Sequence, residues 1–130
     1  MTNTVPRELV LTNTRGMLQK ELFVVFTRPS RDKAHLILEM VKPHLEHQVR
    51  IEREGKLIAA GPFWTEDGQH HEGEGMFILR ADTIEEARRI ADSDPMHSSG
   101  ARAYTIRPWL LNEGSMTFTV RFSDQRVVVG

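Results

Sequence analysis

At 130 residues the chain is long enough for one domain that buries a core without staples. It contains no cysteine, which removes thiol nucleophiles, thiolate metal sites and disulfides and is compatible with a cytoplasmic location. A formal charge of -1, from 17 basic and 18 acidic residues, leaves no footprint for nucleic acid, and neither a signal-peptide pattern nor an apolar run of about 20 residues points to a membrane.

Residues 1–17 are polar, with Pro6 and Gly16 around a short apolar patch at Leu9 to Leu11, and read as an arm that is loose or docks on a neighbour. Lys20 to Thr27 predicts a strand with Leu22, Val24 and Phe26 on one face and Phe23 and Val25 on the other. A strand apolar on both faces is covered on both sides. Arg28-Pro29-Ser30 turns the chain, and Ser30 can cap a helical segment through Met40 or Val41. Pro43 then restarts a helix, because its missing N–H costs nothing at a first helical position, and Gly55 stops it. Lys56 to Ala60 predicts the second strand, broken by Gly61-Pro62, and Gly75 to Ala81 the third. Asp67-Gly68 is a turn signal between them, so the two strands can form a long-looped hairpin. Thr83 and Glu86 make a capping box for a helix whose stripe is Ile84, Ala87, Ile90 and Ala91, and Pro95 ends it. Ala101 to Leu111 predicts a fourth strand with Pro108 at an edge or bulge. Met116 to Phe122 alternates as a half-buried strand, and Arg126 to Val129 can pair back on it.

The order β, α, β, β, α, β with an added hairpin predicts an α+β sandwich, two helices on one face of an antiparallel sheet. The division is a single domain over 1–130, with the arm at 1–17, the core at 19–112 and the hairpin at 113–130. Two helices cover one face only. Strands one and three are apolar on both, so a second copy of the sheet is expected to cover the other, giving a homodimer.

Two histidines one helical turn apart, His44 and His47, lie on the first helix. His44 falls at the boundary of the apolar stripe, where one ring nitrogen can be held by protein while the other faces a cavity, as a general acid or base requires. A surface histidine covering the core edge fits the same spacing. Asp94 follows the C-terminal end of the second helix, where the dipole disfavours a carboxylate, and Pro95 aims it off the helix end. An Asx turn before proline explains it equally. His44 and His47 at i, i+3 could share a metal ion with Asp94, but no HExxH-type motif is present and no metal or cofactor is expected. His70 and His71 among acidic neighbours read as a solvated loop, and the GEG at Gly73 to Gly75 leads into a strand, so it is no phosphate loop.

The stretch PHLEHQVRIEREGKLIAAGPF, then a strand, the helix IEEARRIADSDPMHSSG and ARAYTIRPW together resemble the YciI-like (YCII-related) family of the dimeric α/β barrel superfamily, over about Glu21 to Trp109. The resemblance implies a ferredoxin-like βαββαβ fold, sheets meeting face to face in a dimer and a pocket between sheet and helices. It implies His44 and Asp94 as the active-site pair, with Gly61 and Pro62 in the AGP turn and Gly100 as the glycine after the DP dipeptide. Family members with known activity act on small ring compounds, one as a dehydrochlorinase. The arm, His47, His97 in DPMHSSG and the tail after Trp109 depart from short members. A carboxylate on one imidazole nitrogen fixes the tautomer and raises the basicity of the other, suiting proton abstraction beside a carbonyl or loss of a leaving group. His47, Tyr104 and Arg107 are candidate substrate-binding residues, Arg107 for a carboxylate. A salt bridge and barrel core account for Tyr104 and Arg107 as well. The reading is a cofactor-independent lyase, isomerase or dehalogenase-like enzyme on a small cyclic or unsaturated acid. A non-catalytic dimeric protein that binds a small molecule or regulates a partner is the rival.

Overall fold

The computed structural model describes residues 3–130; Met1 and Thr2 of the polar arm lie outside the described residues. The chain divides into two compact units, residues 21–110 and the terminal stretches up to 20 and from 111. Each is taken by itself.

The larger unit carries β1 (Lys20–Pro29), α2 (Ala34–Arg53), β2 (Leu57–Pro62), β3 (Gly75–Leu79), α3 (Ile84–Asp92), the short α4 (Pro95–Ser98) and β4 (Arg102–Leu111). The strands form one sheet in the order β2-β3-β1-β4. β3 runs antiparallel to both neighbours, with Val25 opposite Phe77 and Pro62 opposite Gly75. This is the ferredoxin-like α+β arrangement that the sequence predicts. The core lies between sheet and helices: Phe23 and Val25 of β1 and Phe77 and Leu79 of β3 pack against Ile51 of α2 and Ala87, Ile90 and Ala91 of α3. Burying a large apolar side chain of this kind contributes about 1.5–3 kcal/mol.

α2 departs from the sequence expectation. It is one helix of 20 residues that runs through Pro43, not a segment that stops at Val41 and restarts. Ser30 does not cap it; the N-cap is Lys33, with no side-chain cap bond. Pro43 gives up the N–H that would reach the Glu39 carbonyl, a cost that packing of the helix on the sheet outweighs. Its C-terminus behaves as read: Gly55 takes φ +76°, and the Lys56 and Gly55 N–H groups bond back to Ile51 and Glu52. α3 is capped by Thr83, whose hydroxyl accepts from the Glu86 N–H at 3.1 Å, while the Glu86 carboxylate accepts from the Asp82 N–H. β2 and β3 form the long-looped hairpin, and a register shift between Leu57 and Ala59 bulges the edge strand. A Cβ on Gly75 would stand 2.9 Å from the Gly61 carbonyl oxygen, so the two strands close to this spacing only with glycine.

In the smaller unit, α1 (Arg7–Asn13) is a helix within what reads in the sequence as a polar arm. β5 (Phe118–Val120) and β6 (Val127–Val129) pair as the expected hairpin. The expected half-burial is absent: every residue of both strands is exposed, because a two-stranded ribbon supplies no second layer of its own.

Candidate active site

His44 and Gln48 are four residues apart on α2 and so share one face of the helix. That face meets Asp94, the N-cap of α4, whose backbone is extended ahead of Pro95. Asp94 is 1% exposed. Its Oδ1 accepts the Met96 N–H at 2.9 Å, closing the Asx-type cap. The same carboxylate holds His44: Nδ1 lies 2.9 Å from Oδ1 and 2.8 Å from Oδ2. Gln48 Nε2 donates to Oδ2 at 3.1 Å. The cap reading and the pairing reading of Asp94 are therefore both realised by one side chain. Burial pushes the Asp94 carboxyl up, but the hydrogen bond and charge of His44, the Met96 N–H and His97 outweigh it and hold the group below its usual range. An ionised carboxylate only accepts, so Nδ1 of His44 carries a proton; a neutral ring held this way has its lone pair on Nε2.

His44 also lines a cavity of about 570 Å³, bounded by α2, by β2 with Trp64 beyond it, and by β3. Its other lining side chains include Leu45, Val49, Phe77 and Met96, with Thr27, Gln48, Glu52, His71, Glu74 and Arg102 as polar members beside His44. The volume and a wall that joins apolar side chains to polar ones suit a small organic ligand.

The remaining candidates stand elsewhere. His47 is 3% exposed and does not line the cavity. Arg50 donates to its Nδ1 at 2.8 Å, and burial, partly offset by Asp94, lowers its pKa. The Nδ1 atoms of His44 and His47 thus serve different partners and do not converge on one point. Tyr104 packs against the core and donates its hydroxyl to Asp92 at 2.6 Å; burial and that bond push its pKa up to about 12. Arg107 is exposed, and neither it nor Tyr104 lines the cavity. The strand explains why: Tyr104 and Ile106 pack toward the core, so Arg107 points to the opposite face.

The same alternation puts Arg102 on the helix side, two residues before Tyr104. It lines the cavity, its Nε is buried without a hydrogen-bond partner, and burial lowers its pKa against the pull of Asp94. His97, one of the departures from the family pattern, is half-buried three residues after Asp94. Its Nδ1 donates to the Ala91 carbonyl at 2.7 Å, which leaves Nε2 to accept from the Thr27 hydroxyl at 2.9 Å. Its ring lies 4.7 Å from that of Tyr104 and 6.0 Å from that of Phe77, and burial lowers its pKa.

No helix among the described residues is long and apolar enough to cross a membrane. A protein of Bacillus subtilis (strain 168), uncharacterized protein YjpA, is 35% identical over 75 residues, 58% of this chain and 81% of its own length. Among solved structures, 5-chloro-2-hydroxyhydroquinone dehydrochlorinase (TftG) from Burkholderia phenoliruptrix AC1100, in complex with 2,5-dihydroxybenzoquinone, superposes with a TM-score of 0.58 at 16% identity. The superposition covers 68% of this chain and 92% of that one, and at this identity it establishes a shared fold. The YCII-related domain matches residues 22–110, the whole of the sheet and helices that build the site, and the chain belongs to that family.

Proposed function

We propose that the chain is a cofactor-independent enzyme in which Nε2 of His44 takes a proton from a small cyclic or unsaturated acid, with Asp94 fixing the ring. The reaction is of the lyase, isomerase or dehalogenase type. In the elimination case the base removes a proton from carbon, the C–H electrons form the new double bond, and chloride leaves from the neighbouring carbon. One observation carries the reading: a histidine at a cavity wall has its Nδ1 held at 2.8 Å by a carboxylate that is itself 1% exposed. A carboxylate so placed selects one tautomer and stabilises the imidazolium that forms as the proton moves. The dehydrochlorinase activity of the structural neighbour supports the class of chemistry. In this reading two copies pair through the sheet face turned from the helices, where Phe26 remains 40% exposed.

The test is proton exchange and halide release with chlorinated hydroquinones and unsaturated lactones as substrates, in the wild type and in His44→Asn. A general base contributes about 10²–10⁴-fold, so the variant should lose turnover by that factor while ligand affinity stays within a few-fold. A variant that loses binding alone would replace this reading with that of a small-molecule-binding regulator.

A further inference from the structure

The hydrogen bonds around Asp94 leave two polar atoms unanswered, and both belong to side chains that line the cavity. Gln48 is 9% exposed, and its amide is oriented by the carboxylate beside it: Nε2 must face Asp94 Oδ2, because only the NH₂ end can donate. Oε1 is therefore turned away from Asp94, buried and without a partner. Arg102 brings the complementary lack, a buried Nε–H with no acceptor. Among the described residues it is also the only arginine or lysine that lines the cavity, while Glu52 and Glu74 there repel an anion. Buried polar atoms are nearly always paired, so an orphan acceptor and an orphan cationic donor on two side chains that line one cavity indicate the ligand chemistry they lack.

We infer that Gln48 and Arg102 are the ligand-recognition pair of this cavity, which takes a small ring compound carrying both a hydroxyl, donated to Gln48 Oε1, and an anionic oxygen, accepted from Arg102. The assignment rests on the cavity being the substrate site, and it narrows the substrate of that reading to hydroxylated ring acids or their enolate equivalents. Gln48 in addition positions Asp94, so it links recognition to the orientation of His44.

Isothermal titration calorimetry of the full chain with 2-, 3- and 4-hydroxybenzoate, benzoate and phenol tests it. At least one hydroxybenzoate isomer should bind the wild type at least tenfold more tightly than either benzoate or phenol, a comparison that needs no variant. Arg102→Met should weaken hydroxybenzoate and benzoate by about tenfold to a hundredfold and spare phenol, since a charge-assisted bond is lost. Gln48→Met should weaken hydroxybenzoate and phenol and spare benzoate. Absence of binding by every probe, equal affinity for benzoate and the hydroxybenzoates, or a folded Arg102→Met that binds them as the wild type does would each overturn the inference. Failure of the base reading looks different: full turnover in His44→Asn, with the probe selectivity intact.

Discussion

Replacing Asp94 by Asn tests the site with almost no change in shape. The carboxylate accepts from His44, from Gln48 and from the Met96 N–H, so an amide must offer its NH₂ to at least one of three donors. The least costly arrangement keeps the oxygen on Met96, which preserves the cap, and turns the NH₂ to the Oδ2 position. Gln48 can answer by flipping its amide, since its Oε1 is free to accept. His44 keeps its Nδ1–H donor only by sharing Oδ1 with the Met96 N–H; where the NH₂ faces Nδ1 instead, the proton moves to Nε2, so that Nδ1 accepts. Charge-assisted bonds become neutral ones, which costs about 1–3 kcal/mol of stability. The chemical consequence is larger, because Nε2 becomes a donor where a base is required, and turnover should fall by about 10²–10⁴-fold. Two-bond ¹⁵N–¹H correlation spectra of the imidazole read the tautomer directly. The wild type should show Nδ1–H and the variant Nε2–H, with urea titration giving the stability loss. A variant that keeps the Nδ1–H form, or that changes tautomer with undiminished turnover, refutes the role given to this contact. The pH dependence carries a second signature. The folded pKa lies below the ordinary value of 3.8, so the wild-type contribution is complete above 3.8 and disappears as pH falls through the lower folded value. The stability gap between wild type and Asp94→Asn should therefore narrow below pH 3.8.

Gly75→Ala should destabilise the chain by about 1–3 kcal/mol in urea titration, because the new Cβ would stand 2.9 Å from a backbone oxygen that cannot swing aside. Burial keeps His97 neutral in the fold, with a pKa below 6.5, so the unfolded chain binds protons first as pH falls and stability should decline from pH 6.5 downward. His47 is shifted the same way, and His97→Gln should remove part of that slope, not all of it; denaturant midpoints measured from pH 7.5 to 5 give the comparison.

The elements that organise the site were legible because each has a local chemical cause. Gly55 had to supply a positive φ, Thr83 and Glu86 had to cap a helix, and alternating or continuous apolar runs had to be strands. Pro43 misled for a related reason. Proline at a first helical position and proline tolerated within a helix present the same local pattern, and only the folded helix, continuous from Ala34 to Arg53, distinguishes them. Arg107 is the arginine the sequence reading names on this strand, and residue type cannot separate it from Arg102; parity does, because once Tyr104 and Ile106 face the core, even-numbered neighbours share that side. The anchor for that parity is a tertiary contact, which local sequence does not carry. Gln48 could have been found, since it sits one turn beyond His44 on the same helical face.

The position of Asp94 also explains why the site is built at a helix start. A buried carboxylate is costly unless each of its oxygens is answered, and three donors from two different helices answer this one. The cap bond to Met96 fixes the carboxylate relative to α4, and packing of α2 on the sheet through Ile51 fixes His44 relative to the core. The distance between the two is then set by how α4 meets α2, not by either side chain's freedom. His97 extends this control: it ties Ala91 at the end of α3 to Thr27 on β1, so the segment that carries Asp94 is held on both sides of the Pro95 turn. A change that loosens α4 should therefore reach the chemistry through the His44–Asp94 distance before it reaches the core. Catalytic parameters ought to respond to such changes more steeply than global stability does.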